Sequence, residues 1–148
     1  MNDEFESLLI EEARRDGISR HVVGAVIRRD GAVLLLARSS DDFMGGMYEL
    51  PSGQVDDGER LEHALRREVA EETGLTVDRI ERYLGSFDYT SQNGSATRQF
   101  NFLVSVAAST SVVLSEHDGY VWCSPEAVER HPTSMSVKQV LARLSRST

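Results

Sequence analysis

The sequence predicts an α/β fold in one domain, a mixed β-sheet with helices packed on it, and three local patterns carry that expectation. Asp30-Gly31 separates two runs rich in Val, Ile, Leu and Ala, a strong hairpin signal. Leu61, Ala64, Leu65 and Val69 recur at helical spacing, and Gly74 follows where a C-terminal cap belongs. Two further apolar runs flank Asn93-Gly94, a second turn signal.

Taken in order, residues 4–15 place Phe5, Leu8, Leu9 and Ala13 on one helical face, with Gly17 positioned to end the helix. Residues 21–29 and 32–38 are the strands of the hairpin. Residues 39–47 read as a loop containing Gly45-Gly46, and 48–50 as a short strand stopped by Pro51. Residues 52–58 are rich in Gly and Asp and predict a tight loop. A helix over 61–73 follows, then long strands over 77–89 and 97–107. A strand over 119–123, a short helix from Pro125 and an amphipathic helix over 137–144 complete the pattern.

A chain of 148 residues with net charge −8 suits a single domain, 1–148, with a core of its own. That charge repels polyanions and weighs against a nucleic acid polymer as partner, while a small phosphorylated substrate stays open because bound divalent cations reverse the local field. No apolar run approaches the roughly eighteen residues of a membrane helix. The start Met1-Asn2-Asp3-Glu4 is acidic where a secretory signal is basic, so the expectation is a cytoplasmic protein with no membrane partner. Cys123, the single cysteine, permits no internal disulfide and reads as a small core residue rather than a nucleophile.

The helix over 61–73 holds the chemistry. On a helical wheel Glu62, His63, Arg66 and Thr73 fall opposite the apolar stripe, whereas Glu68, Glu71 and Glu72 share an arc of about 100° that overlaps it. Two readings are open. Three glutamates near a helix end can be solvated surface, but that sets negative charge at the unfavourable end of the helix dipole. Carboxylates on a partly buried stripe also repel one another at reduced dielectric. A bound divalent cation removes both difficulties, and hard oxygen ligands suit Mg²⁺ or Mn²⁺ rather than zinc.

The spacing adds to this. Gly53, five residues, Glu59, seven residues, Arg67-Glu68-Val69, one residue, Glu71-Glu72, one residue and Gly74-Leu75 together resemble the signature of the Nudix hydrolases at every defined position, 53–75. The resemblance implies a loop-helix-loop on a mixed sheet in an α/β/α sandwich, and Mg²⁺- or Mn²⁺-dependent hydrolysis of a nucleoside diphosphate linked to another group. It implies Glu68, Glu71 and Glu72 as metal ligands, joined by the backbone carbonyl near Gly53. Arg67 resembles the residue that orients neighbouring carboxylates, and Glu59 one that braces the loop-helix-loop. The proton-accepting carboxylate stays open between Glu68, Glu72 and Glu116, the last equally readable as an exposed loop acid. Arg38 is either a phosphate contact or a surface charge. Tyr48, Phe43 and Phe100 are base-stacking or core aromatics. His21, His63, His117 and His131 show no metal-ligand spacing, and none is a first-choice catalytic group.

Pro51-Ser52-Gly53 replaces the family's common Pro-Gly-Gly. The family's markers of NADH, ADP-ribose and coenzyme A hydrolases are not found, which leaves the compact MutT-like group acting on nucleoside triphosphates. ADP-ribose or a nucleotide sugar is the alternative substrate, and a non-catalytic ligand-binding module the alternative class. A structural cation site is disfavoured because it needs neither Arg67 nor the Gly53 loop. Dimers are common in the family, which extends the expectation of a homodimer to this chain.

Overall fold

Strand β1 (Arg20–Arg29) organises the molecule. The computed structural model describes residues 1–41, 44–107 and 111–146, without the side chains of 145 and 146. Helix α1 (Asp3–Arg15) precedes β1, and β2 (Ala32–Ala37), β3 (Tyr48–Glu49) and β4 (Ser52–Gln54) follow it. Then come α2 (Leu61–Thr73), β5 (Val77–Thr90), β6 (Ala96–Val106), β7 (Gly119–Cys123), a 3₁₀ helix (Pro125–Arg130), α3 (Met135–Ala142) and a closing 3₁₀ turn. The sheet runs β3-β2-β1-β6-β5, with β4 also paired to β1 and β7 to β2.

Along one edge β1 pairs with β6 in parallel, from Arg20 opposite Thr97 to Ile27 opposite Val104. Its other edge is divided. β4 takes Val22, Val23 and Gly24, and β2 takes Arg28 and Arg29, both antiparallel. The sheet therefore forks along β1, and the clefts described below are lined by residues from both branches of the fork.

Strands buried on both faces read as continuous apolar runs, and alternation assigns each residue a side. Val23, Ala25, Ile27, Leu34, Leu36, Phe100 and Phe102 join Ala13 of α1 and Leu61, Ala64, Leu65 and Val69 of α2 in one core. Val26, Val33, Leu35 and Leu103 pack on the other face with Val137, Val140 and Leu141 of α3. The α/β/α sandwich is thus present. Cys123 is buried in the second core.

Three expectations change. Residues 52–54 are a strand rather than loop, because β1 offers them a free pairing edge where β2 diverges. Thr73 is fully buried rather than solvated. Its hydroxyl donates to the Val69 carbonyl (2.6 Å) and accepts from the Leu75 N–H (3.1 Å), so its polarity is satisfied within the helix end. The last helix starts at Met135, two residues earlier than expected, where the Ser134 side chain caps it by accepting from Val137 N–H. Gly74 ends α2 at φ +73°, a left-handed conformation that favours glycine.

Candidate active site

Strand β4 lies against the C-terminal half of α2. Gly53 faces the helix so closely that a Cβ there would lie 1.9 Å from the Glu68 carboxyl carbon, so any side chain at 53 would displace the Glu68 carboxylate. One residue earlier, the Ser52 N–H donates to Glu72 Oε1 at 2.8 Å. By alternation Ser52 and Gln54 point away from α2, and both line a cleft of about 580 Å³. A second cleft of about 240 Å³ adjoins it and is lined by Gly53, Glu72, Glu49, Arg38, Glu116 and His117 among others.

Arg67 ties the glutamates together. Its Nε and Nη2 each donate to one oxygen of Glu59 at 2.8 Å, a bidentate pair. Nη2 also reaches the Gln54 carbonyl (3.0 Å), while Nη1 reaches Glu68 (2.6 Å) and Glu71 (3.3 Å). Glu59 accepts the Asp56 N–H as well, so it pins the loop before α2 to the middle of the helix. The Arg67 guanidinium holds the Glu59 carboxyl down at about 2, and Glu59 in turn raises Arg67.

Glu68 and Glu72 are not so relieved. Burial pushes Glu68 up despite its contact with Arg67. Burial pushes Glu72 up to about 7, opposed by the Ser52 N–H and His117 and reinforced by the nearby charges of Glu68 and Glu49. Glu71, 58% exposed at its side chain, joins the group only through Arg67. Among the described residues no three His, Cys, Asp or Glu side chains already stand as a closed cation cage. Each carboxylate instead leans on a protein donor: Glu72 on Ser52, and Glu68 and Glu71 on Arg67.

Arg38 is not an isolated surface charge. Its Nη1 donates to Glu49 Oε1 at 2.8 Å, and the other oxygen of Glu49 lies 2.8 Å from His117 Nε2. The His117 side chain is only 7% exposed, and the Glu49 carboxylate raises its pKa, with Glu72 adding to the effect. Its Nδ1 is buried without a hydrogen-bond partner among the described residues. The sequence offers no spacing signal for this histidine, because its partner Glu49 is 68 positions away. Glu116 beside it is exposed and shares the smaller cleft with Glu72. Tyr48 lines the larger cleft with its ring 4.9 Å from that of His131. Phe100 is core, 1% exposed, and unavailable for stacking, whereas Phe43 lies outside the described residues. Arg20, Gln54, Phe87, Tyr89 and Gln99 also line the larger cleft, and only the folded sheet brings them together.

The model of the NUDIX domain matches residues 18–144. The chain belongs to that family. It is 33% identical over 113 residues to the CTP pyrophosphohydrolase of Escherichia coli (strain K12), covering 75% of this chain and 80% of that protein. It is 30% identical over 132 residues to the nucleoside triphosphatase NudI of Escherichia coli O139:H28 (strain E24377A / ETEC), covering 82% and 94%. Among solved structures it resembles the MutT protein from Methanosarcina mazei Go1 with a TM-score of 0.76 and 29% identity, over 88% of this chain and 96% of that one. The chain is therefore a Nudix pyrophosphohydrolase. Among the described residues this Nudix chain has no helix long and apolar enough to cross a membrane.

Proposed function

We propose that the chain is a Mg²⁺-dependent nucleoside triphosphate pyrophosphohydrolase of the MutT-like kind, with Mn²⁺ able to substitute. The observation that carries this reading is the pair Glu68 and Glu72, two partly buried carboxylates with raised pKa beside Gly53, with Glu72 and Gly53 lining the smaller cleft that adjoins a nucleotide-sized one. The relatives named for CTP and for nucleoside triphosphates support the substrate class.

The residues fit a divalent cation. Glu68, Glu71, Glu72 and the Gly53 carbonyl are hard oxygen donors, and a cation would favour the ionised form of Glu72 that burial disfavours. When bound, the metal neutralises phosphoryl oxygens and acidifies water. The chain's own groups do the remainder. Arg67 keeps Glu68 in place against Gly53, and Glu59 keeps Arg67 in place. Arg38, steadied by Glu49, offers cationic donors to the phosphate chain from the wall opposite the helix branch. A proton released as water attacks phosphorus passes to a carboxylate lining the smaller cleft, Glu72 or Glu116, with Glu68 the neighbouring alternative.

Incubation with Mg²⁺ and a panel of nucleoside triphosphates, nucleotide sugars and ADP-ribose, read by chromatography, tests the proposal. Triphosphates are expected to yield the monophosphate, with chelator abolishing turnover. Cleavage confined to ADP-ribose or nucleotide sugars would overturn the substrate class, and metal-independent cleavage the mechanism. Turnover of Glu116→Gln separates the candidate bases: near-normal activity removes Glu116 from the role.

A further inference from the structure

Strand β6 buries two amides on the face that also carries Leu103. Leu103 on that face packs in the core under α3, but Gln99 and Asn101 share its side of the strand, both buried. A buried amide without hydrogen-bond partners is costly, so the partners of these two are informative.

Asn101 Nδ2 donates to the backbone carbonyls of Gly85 (3.1 Å) and Gln99 (3.2 Å). Carbonyls only accept, so this amide cannot be reversed. Its Oδ1 is thereby turned to Gln99 and accepts from Nε2 at 2.9 Å. The constraint passes along the chain of bonds and sets the orientation of the Gln99 amide as well. Gly24 of β1 makes room for the pair, since a Cβ there would lie 2.4 Å from Gln99 Nε2 and 2.5 Å from Asn101 Oδ1.

A structural role accounts for Asn101. Gly85 lies at φ +90° in the register shift between Tyr83 and Ser86, and Asn101 satisfies its carbonyl. Gln99 uses one N–H to satisfy the Asn101 oxygen, and the rest of its amide is not taken up by the fold. It lines the larger cleft with Tyr48 and Phe87, and among the described residues its carbonyl oxygen and second N–H have no protein partner. Arg20, Arg38, Glu49, Ser52 and Tyr89 line both clefts, so a nucleotide with its phosphates beside Glu72 extends its base toward Gln99.

We propose that Gln99, held in one orientation by Asn101, distinguishes amino from oxo nucleobases in the larger cleft. This rests on the nucleotide-substrate reading above. A free glutamine turns its amide over and pairs with either edge: amino donor beside ring acceptor in cytosine and adenine, or oxo acceptor beside ring donor in uracil and guanine. A locked amide presents one order only. The mismatched edge sets donor against donor and acceptor against acceptor, leaving buried polar groups unpaired.

CTP and UTP differ only at the 4-amino or 4-oxo group and the ring proton that goes with it. The test measures kcat/KM for this pair, and Kd for CMP and UMP by calorimetry, in the wild type, Gln99→Leu and Asn101→Leu. The wild type is expected to favour one member by about tenfold or more, as a bidentate contact does. Gln99→Leu keeps the bulk and is expected to bring the ratio near one. Asn101→Leu is expected to lower the ratio while Gln99 is still present, because the freed amide turns over. A wild-type ratio near one, or a ratio unchanged in a Gln99→Leu protein whose Tm shows it folded, overturns the proposal. Selective monophosphate binding without triphosphate cleavage overturns the hydrolase reading and supports this one.

Discussion

At its N-terminal end α2 receives a carboxylate where the helix field is positive, while at its C-terminal end three glutamates stand where the field is negative. Glu6 of α1 accepts the Leu61 N–H at 2.6 Å and the Arg60 guanidinium at 2.6 Å, doing the capping that Arg60 itself does not do. At the other end the last turn holds no basic side chain. Glu72 is left half-buried with one backbone donor, and its pKa rises to about 7. One end of the helix is arranged for stability and the other against it. Perturbed carboxylates of this kind mark functional sites, in keeping with the proposed cation site at the C-terminal end.

The largest effect that sharpens this contrast is on turnover. Glu68→Gln and Glu72→Gln are each expected to lower kcat by about 10³-fold, ~4 kcal/mol of lost transition-state stabilisation. The same variants, free of metal, are expected to melt above the wild type because a buried like charge is gone. Steady-state kinetics beside thermal melts in chelator check both; a variant that is inactive and also melts lower would break the contrast.

Between the two ends sits Arg67. Arg67→Met leaves Glu59, 8% exposed at its side chain, without its bidentate partner. Breaking such a pair is expected to cost about 3 kcal/mol in urea denaturation, in addition to the loss of activity. A loss below about 1 kcal/mol would mean that Glu59 relaxes into water and does not brace the helix.

A smaller effect appears on titration without metal. Glu72 has a higher pKa folded, about 7, than in an open chain, so the folded state binds the extra proton between about pH 5 and pH 7. Stability is therefore expected to fall as pH rises through that window, by ~2 kcal/mol, and Glu72→Gln is expected to flatten the slope. Glu59 acts in the opposite sense: held at about 2, it contributes stability that is lost as pH falls below its open-chain value toward 2. Added Mg²⁺ is expected to reverse the Glu72 slope, which denaturation midpoints against pH measure directly.

What the sequence made legible follows the range of the interactions. The apolar stripe, the Gly74 cap and the placement of Glu68 and Glu72 near that stripe are local patterns, and they hold in the fold. Thr73 was misplaced because a wheel counts a hydroxyl as polar and does not see it bond within its own turn. Residues 52–54 read as loop because the edge they pair with belongs to β1, some thirty positions away. The link from Arg38 through Glu49 to His117 carries no spacing signature, since segments distant in sequence bring its members together, and the Gln99–Asn101 pair on β6 depends on Gly24 of β1 for its space. Glu6 is the same case, a cap delivered from another helix.

Glu6→Gln is the mildest intervention and the most direct comparison of the two ends. The amide keeps an oxygen for the Leu61 N–H and loses the charge that meets Arg60 and the helix field, so the expected cost is about 1 kcal/mol. Glu6 lies outside both clefts, so kcat is expected to stay near the wild-type value. The same chemical change, Glu to Gln, thus destabilises at the N-terminal end of α2 and stabilises the metal-free protein at the C-terminal end. Chemical denaturation of Glu6→Gln and Glu72→Gln side by side measures both signs. Shifts in the same direction would mean that the Glu72 charge is not penalised in the folded, metal-free protein, and would remove the contrast between the two ends.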